Sequence, residues 1–358
     1  MTGGFEPAAD EVEARLLGQS RTLRRRDVSS AAGLSLRSAR KFWHALGFAN
    51  VEDDEDRVFT QSDIQALRSV ADLVREGVFD EPTALAMTRA FARTTDRLAV
   101  WQTQLMAEAL GDLGAGAAPG AGRHDTTRAV PDLETARKAA AKLADVADDL
   151  EPLLVYAWRR HLVAAIERMV ADADPEQDNV GIVRNVGFAD LVSFTRLVRR
   201  LSERELAQVV QRFEELASDI VTAHGGRVIK TVGDEVLYVT VTPAAAAAIA
   251  LDLVEAMAED EVLPDVRVGM ATGRVVPRLG DVFGTTVNRA SRLTAVARPG
   301  SVLVDDGLAA KLASLSGFEM TALRRRSLRG IGPVTPWLLS RTGEVRRRGQ
   351  AADTKEDQ

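Results

Sequence analysis

The 358-residue sequence contains no cysteine and only four histidines. Without cysteine the chain has no disulfides, no thiolate metal sites and no cysteine nucleophile, and it fits a reducing compartment. The histidines also lack the spacing of a zinc site; they are His44, His124, His161 and His224. We therefore expect neither thiol chemistry nor a zinc centre.

Long hydrophobic runs are missing as well. No window approaches the roughly 18 uncharged apolar residues that a membrane helix needs, and the alanine-rich run that begins at Pro243 is too short. The first residues lack the basic flank and apolar core of a signal peptide. The net charge of -6 gives no general attraction to nucleic acid or anionic membranes. These features predict a cytoplasmic protein with no transmembrane segment.

Apolar residues make up 46% and charged residues 27% of the chain, as in ordinary globular proteins. The length suggests about two domains. We predict an all-helical domain over residues 1–113, and a linker with joining helices over 114–179 that begins with a Gly- and Ala-rich stretch. A mixed α+β domain is expected over 180–340, and a disordered tail over 341–358.

The first domain contains the pattern of two short helices joined by a turn at Gly33. Ser35 is predicted to cap the second helix, and Thr60 or Ser62 a further one. This pattern is similar to the winged helix-turn-helix of MerR-type regulators. Seven basic residues between positions 21 and 41 would suit phosphate contacts. In an acidic chain, however, we favour a helical module with a solvated basic face over a DNA-binding domain.

The segment that joins the two domains is predicted to be helical, with a break at Asp149 and Pro152. Apolar residues at spacings of three and four around Leu150 form a short seam that would suit helix pairing. His161 lies on the same segment and is a candidate pH-responsive group, because histidine titrates near neutral pH. A histidine is more often structural, so this role is a hypothesis.

From Val180 onwards short apolar strands alternate with amphipathic helices, which predicts an α/β or α+β fold. Strands are expected near 182–189, 227–232, 235–240, 265–273, 301–304 and 334–339. Helices are expected near 202–223, 243–258, 285–297 and 306–314. The run from Val232 to Glu235 contains Gly-Asp and predicts a two-residue hairpin turn.

Two aspartates lie where strands of this domain end. Asp190 follows the apolar strand that begins at Ile182, and Asp234 occupies the hairpin turn. Taken singly, each aspartate is more often a turn or cap residue. If the hairpin lies beside the first strand, however, both carboxylates converge, and two suffice for a metal-dependent phosphoryl or nucleotidyl site. The helical region entered at Phe194 and Thr195 would then offer free N–H groups to a triphosphate.

The run Gly225-Gly-Arg-Val-Ile-Lys230-Thr superficially looks like a P-loop. It lacks the glycine before the lysine, and Lys230 lies inside an apolar strand. We therefore reject a P-loop here.

Three blocks of the second domain are similar to the signature blocks of class III nucleotide cyclases, in the same order and with family-like spacing. They are Phe188-Ala-Asp-Leu-Val-Ser-Phe-Thr195, Gly225-Gly-Arg-Val-Ile-Lys-Thr-Val-Gly-Asp-Glu235 and Gly280-Asp-Val-Phe-Gly-Thr-Thr-Val-Asn-Arg-Ala-Ser-Arg292. The resemblance implies a ferredoxin-like catalytic fold and a homodimer with composite sites at its interface. The first domain resembles, less specifically, the N-terminal regulatory region of some soluble bacterial class III cyclases.

The resemblance also implies roles for individual residues. Asp190, the backbone carbonyl of Leu191 and Asp234 match the ligands of two divalent cations, Mg²⁺ or Mn²⁺. Lys230 and Asp281 match the pair that reads adenine in adenylate-specific members. The lysine donates to adenine N1, and the aspartate accepts from the exocyclic N6 amine.

The remaining matched positions concern the ribose and the phosphates. Asn288 and Arg292 match the catalytic pair that orients the ribose and stabilises charge on the transferring phosphorus. Phe194, Thr195 and Arg329 match phosphate-binding positions.

The implied function is an adenylate cyclase that converts ATP to 3′,5′-cyclic AMP and pyrophosphate by a two-metal mechanism. We expect the N-terminal domain to regulate it, by autoinhibition, in response to a small-molecule, lipid or pH signal. One alternative is a guanylate or mixed-specificity cyclase, against which Lys230 and Asp281 argue. The other is a DNA-binding regulator with a nucleotide-sensing domain, against which intact Asn288 and Arg292 argue.

Overall fold

The computed structural model of the protein describes residues 6–49, 56–115, 131–173 and 181–343. The chain divides into two compact units, Met1–Val170 and Ala171–Gln358. Most of the glycine-rich linker and of the predicted disordered tail lies outside the described residues, and the domain boundaries drawn from the sequence stay predictions.

The first unit is built from helices and one pair of short strands. Its elements are α1 (Glu6–Leu17), β1 (Leu23–Arg24), α2 (Arg25–Ala31), α3 (Leu36–Ala45), β2 (Arg57–Phe59), α4 (Gln61–Arg75), α5 (Glu81–Ala115) and α6 (Leu133–Asp172), whose last two residues fall in the second unit. The antiparallel pair β1–β2 corrects the expectation of an all-helical domain. These strands have only two and three residues, too few for an alternating pattern to reveal.

The capping residues predicted in the first unit are confirmed. Ser35 Oγ accepts a hydrogen bond of 3.1 Å from the Ser38 N–H at the start of α3. Thr60 is the N-cap of α4, and Asp63 accepts a hydrogen bond of 2.6 Å from its N–H. Both arrangements satisfy N–H groups at a helix end. The core beneath these helices includes Val28, Phe42, Phe59, Ile64 and Leu67.

The predicted break at Asp149 and Pro152 is wrong, because α6 runs through both residues for 40 residues. A proline inside a helix removes one hydrogen bond and bends the backbone, but it need not end the helix. The alanine- and leucine-rich flanks have high helix propensity, which favours continuation. No helix in the described ranges is long and apolar enough to cross a membrane.

The second unit contains a mixed sheet with helices on its two faces. Its strands are β3 (Ile182–Leu191), β4 (Arg227–Val232), β5 (Glu235–Thr240), β6 (Val266–Arg278), β7 (Asp281–Phe283), β8 (Val302–Val304), β9 (Phe318–Ala322), β10 (Arg326–Leu328), β11 (Gly332–Val334) and β12 (Trp337–Arg341). Its helices are α7 (Phe194–Val198), α8 (Glu203–Ala223), α9 (Pro243–Glu259), α10 (Thr285–Val296) and α11 (Asp306–Leu312).

The sheet order is β4-β5-β3-β6-β8-β12-β9, with β7 paired to β6. Strand β3 is antiparallel to both β5 and β6. The chain order β3-α8-β4-β5-α9-β6 is the β-α-β-β-α-β arrangement of the ferredoxin-like fold, which the resemblance to class III cyclases implied. Strands β10 and β11 form a separate hairpin.

The two faces of the sheet are covered by different helices. Ala189 and Tyr238 pack against residues of α8 and α9, including Phe213 and Ile249. Val186, Phe188, Leu237 and Val239 instead share a cluster with Ala290 of α10. Side chains alternate between the faces along each strand. Asp190, Glu235 and Lys230 therefore belong to the α10 face of the sheet.

Most strands and helices predicted in this unit are confirmed, with ends that differ by a few residues. Three elements were not predicted, namely β7, β9 and β10, and the single strand expected near 334–339 is divided into β11 and β12. The helical region expected to begin at Phe194 is the separate short helix α7. These pieces have three to five residues. Arg341, placed in the tail by the sequence, is the last residue of β12.

Candidate active site

The two aspartates predicted as metal ligands lie together at one end of the sheet. Asp190 is paired with Glu235 in the register of β3 and β5. The Leu191 N–H donates to the Asp234 carbonyl at 2.9 Å, which ties the end of β3 to the hairpin turn. Burial and the nearby Asp190 charge raise the pKa of Asp234 above its usual value. The backbone therefore brings together two carboxylates that lie far apart in sequence.

Two charged residues of this cluster were not identified from the sequence. Arg267 lies opposite Asp190 on β6, and its Nε donates to Asp190 Oδ2 at 2.7 Å. Glu235 follows Asp234, and burial together with the charges of Asp190 and Asp234 raises its pKa. Glu235 stood inside the hairpin block and was detectable there. Nothing in the sequence marks Arg267, because only the strand register brings it to Asp190.

The donor set of this cluster fits a cation that shares its coordination shell with a substrate. Within the described ranges, no group of three or more His, Cys, Asp or Glu side chains is arranged to hold a metal ion. Two carboxylates suit Mg²⁺ or Mn²⁺, since such ions retain waters and bind substrate phosphates. Leu191 is the last residue of β3, so its carbonyl lies next to Asp190.

Lys230 and Asp281 form an ion pair, with Lys230 Nζ at 2.6 Å from Asp281 Oδ2. The register of β4 against β5 shifts just before Lys230, and Asp281 begins β7 at the tip of the β6–β7 hairpin. Burial alone would raise the pKa of Asp281. Hydrogen bonds from Lys230 and the Val282 N–H, together with the lysine charge, hold that pKa below its usual value. The structure thus places a hydrogen-bond donor, Lys230 Nζ, beside an acceptor, the Asp281 carboxylate.

Asn288 and Arg292 lie one turn apart on α10, and both are exposed. Residues four apart on a helix share a face. Arg292 has no ion-pair partner among the residues that the structure describes. Both side chains are therefore available to a ligand.

The three predicted phosphate-binding residues lie on two elements. Phe194 and Thr195 begin the short helix α7, after Ser193 with a φ of 61°. Phe194 packs against the core, whereas Thr195 is exposed. Arg329 is exposed in the turn between β10 and β11. Its neighbour Leu328 shares a hydrophobic cluster with residues of α10, so the hairpin that carries Arg329 packs close to that helix.

Comparisons with known proteins identify the class to which this fold and site belong. Residues 173–341 match the family described as the adenylate and guanylate cyclase catalytic domain. Residues 9–155 match the family described as the adenylate cyclase regulatory domain. The chain thus combines a cyclase catalytic domain with a second domain of a described regulatory type.

Several relatives are similar over most of the chain. An adenylate cyclase of Glutamicibacter nicotianae is 42% identical, with 92% of this chain and 81% of that protein covered. An adenylate cyclase of Streptomyces coelicolor is 39% identical, with 94% and 91% covered. A protein of Mycobacterium tuberculosis named pH-sensitive adenylate cyclase MT1302 is 32% identical, with 86% and 75% covered. The protein belongs to the class III adenylate cyclase family, in the group with an N-terminal regulatory domain.

Proposed function

We propose that this protein is an adenylate cyclase that converts ATP to 3′,5′-cyclic AMP and pyrophosphate. The observation that carries the choice of adenine is the Lys230–Asp281 pair, at 2.6 Å. Adenine presents an acceptor at N1 and a donor at its N6 amine, which match a lysine donor and a carboxylate acceptor. Guanine presents a donor at N1 and an acceptor at O6, the opposite pattern. The pair therefore supports ATP over GTP.

Asp190, the Leu191 carbonyl and Asp234 would hold two divalent cations, Mg²⁺ or Mn²⁺. When bound, such cations neutralise the triphosphate and make the attacking hydroxyl more acidic. Arg267 offsets part of the negative charge of the cluster through its ion pair with Asp190. The first N–H groups of α7, at Phe194 and Thr195, have no acceptors within the helix and would bind phosphate oxygens.

The reaction requires the ribose 3′-hydroxyl to attack the α-phosphorus while pyrophosphate leaves. Asn288 would orient the ribose for this attack, and Arg292 would stabilise the negative charge that develops on the phosphoryl oxygens. Arg329 would add a further contact to the departing phosphates. Orientation and charge stabilisation are the two contributions that a protein makes to phosphoryl transfer.

We further propose that the site is shared between two copies of the chain. Asp190 and Asp234 would act with Lys230, Asp281, Asn288 and Arg292 of the partner subunit. The exposure of Asn288 and Arg292 on α10 supports this arrangement, because their side chains are open to solvent in the single chain.

The N-terminal unit is proposed to control the catalytic domain in a cytoplasmic enzyme, by autoinhibition that a small-molecule, lipid or pH signal relieves. The match of residues 9–155 to a regulatory domain supports this role. His161 is exposed on α6 and stays a candidate pH-responsive group.

The likeness of α2, α3 and the β1–β2 pair to a winged helix-turn-helix also stays a proposal, and DNA binding is not part of it.

Removing residues 1–150 should change the specific activity substantially. Unchanged kinetics would contradict the regulatory role.

One assay tests the activity. Purified protein is incubated with ATP or GTP and with Mg²⁺ or Mn²⁺, and cyclic nucleotide is measured. Cyclic AMP as the main product supports the proposal, whereas cyclic GMP as the main product would support a guanylate or mixed-specificity cyclase. If neither nucleotide gives a cyclic product, the proposed cyclase activity is refuted.

Mixing two inactive variants tests the shared site. Asp190→Ala and Arg292→Ala should each lose nearly all activity when pure. A mixed dimer rebuilds one complete site, so the mixture should regain part of the activity. No recovery, in a mixture shown to form heterodimers, would count against composite sites.

A further inference from the structure

Asp305 is a buried carboxylate next to α10 that has no part in the active site described so far. Asp305 follows β8 and is only 1% exposed. Its Oδ1 accepts the N–H groups of Thr272 at 3.2 Å and of Leu308 at 3.0 Å. Its Oδ2 accepts a hydrogen bond of 3.0 Å from Arg289 Nη1. The two oxygens therefore serve different partners.

Capping of α11 does not explain this arrangement. Asp305 is the N-cap of α11, and the capping hydrogen bond from Leu308 goes to Oδ1 alone. A serine or asparagine would cap a helix equally well. The charge of Asp305 and its second oxygen are used by Arg289, which lies on α10.

Arg289 lies directly after Asn288 and one turn before Arg292 on α10. Its side chain is 39% exposed, between the buried face of the helix and the face that carries the two catalytic residues. An arginine on this flank acts at a distance from the helix axis, so its contact resists rotation of the helix about that axis.

Two other anchors of α10 are on its buried face. Thr286 Oγ1 donates to the Arg274 carbonyl at 2.8 Å. Thr294 Oγ1 lies 3.3 Å from the Phe188 carbonyl. These bonds hold the helix against the sheet. The ion pair with Asp305 is stronger than a neutral hydrogen bond, and a buried carboxylate is costly to leave without its counter-ion.

We propose that Arg289 and Asp305 are positioning residues for catalysis, which fix the rotation of α10 so that Asn288 and Arg292 face the substrate. The inference rests on the proposed cyclase activity. It predicts that the pair affects kcat rather than the KM for ATP, because the adenine contacts of Lys230 and Asp281 lie on other elements.

The test uses full-length protein and compares Asp305→Asn, Arg289→Met and the double variant. Asp305→Asn keeps an acceptor at Oδ1 and removes the acceptor for Arg289 together with the negative charge. A displacement of catalytic groups by about 1 Å costs up to roughly 100-fold in rate. We expect kcat to fall about 10- to 100-fold in each single variant, with the KM for ATP within about twofold of wild type.

Three further results complete the expectation. The double variant should be no slower than the slower single variant, because both changes break one contact. Arg289→Lys should recover part of the loss, because a lysine can still donate to Oδ2. Arg298→Met changes an exposed arginine just beyond α10 and should keep wild-type kcat.

Three outcomes would each overturn the inference. The first is wild-type kcat in Arg289→Met, and the second is a double variant whose loss in kcat is the product of the two single losses. The third is a loss in kcat that is explained entirely by a lowered unfolding temperature. Amide hydrogen exchange of residues 285–296 provides a readout that does not need activity. Exchange should be faster in both single variants, and unchanged exchange would overturn the inference even if the wild type made no cyclic nucleotide. An inactive wild type would itself refute the proposed function.

Discussion

Gly269→Ala is predicted to displace the helix that carries Asn288 and Arg292. Gly269 lies on β6, directly beneath α10. A Cβ at this position would lie 2.1 Å from the Thr294 nitrogen and 2.6 Å from the Ala290 carbonyl oxygen. Both are backbone atoms of α10, so no side-chain rotation can relieve the overlap. The helix or the strand has to move.

The size of the movement follows from the contact distances. Ordinary van der Waals contact begins at 3.4 Å, so the 2.1 Å approach to Thr294 requires a local shift of about 1.3 Å. A misplacement of about 1 Å can reduce a rate by about 100-fold. Overpacking of a buried position also costs about 1–3 kcal/mol of stability. We therefore expect kcat for cyclic AMP formation to fall by about two orders of magnitude, together with this loss of stability.

Gly111→Ala is the matched control, because it adds the same methyl group to a helical glycine of α5 with no atom within 4 Å of the new Cβ. It should leave kcat unchanged and stabilise the protein by up to about 1 kcal/mol through helix propensity. Cyclic AMP formation and denaturant unfolding are measured for both variants. Wild-type kcat in a folded Gly269→Ala protein would refute the argument that the added methyl group displaces α10.

Three other perturbations have directions set by the structure. The positive charge of Arg267 lowers the pKa values of Asp234 and Glu235. Arg267→Met should therefore move the acidic limb of the activity–pH profile to higher pH. A limb shifted to lower pH would contradict this. Because the pKa of Glu235 is raised in the folded protein, that residue costs stability as pH rises through its folded pKa. Glu235→Gln should then raise the unfolding temperature at neutral pH, but not at a pH below the ordinary glutamate pKa. An equal gain at both pH values would contradict this prediction. Arg184 is 9% exposed and donates to both carboxylate oxygens of Asp172. Arg184→Met should lower the free energy of unfolding, measured with denaturant, by about 1.5–3 kcal/mol, and Arg184→Lys should lower it less.

The sequence predicted the parts of the second unit that depend on local chemistry. The Gly-Asp pair at positions 233 and 234 specifies a tight turn, and strands β4 and β5 have the bounds that were expected. Gly233 has a φ of 61°, a conformation that glycine adopts at little cost. Turn chemistry and strand alternation involve residues close in sequence, which is why they were readable.

The contacts that complete the site are long-range. Asp190 and Arg267 are 77 positions apart, and the pair forms only when β3 and β6 align. Arg289 and Asp305 meet across α10 and the end of β8. No spacing rule connects such residues, so the sequence located the motif positions Asp190 and Asn288 but not the charged residues Arg267, Arg289 and Asp305. The unbroken α6 has a different cause, since Pro152 signalled a local break that the helix as a whole overrides.

The position of the two carboxylates depends on a residue pair outside the site. In the register of β3 and β5, Gly187 lies opposite Tyr238. Three residues further along β3, Asp190 lies opposite Glu235. A Cβ on Gly187 would lie 2.2 Å from the Tyr238 ring, so the ring occupies the space that a side chain would need. A slip of one residue would place that ring against Val186 or Phe188, and would turn every side chain of the strand to the other face. The fully buried tyrosine therefore admits only the register that brings Asp190 to the hairpin of Asp234. Gly187 directly precedes the first signature block, and a glycine is needed there for this reason of packing, although it has no chemistry of its own.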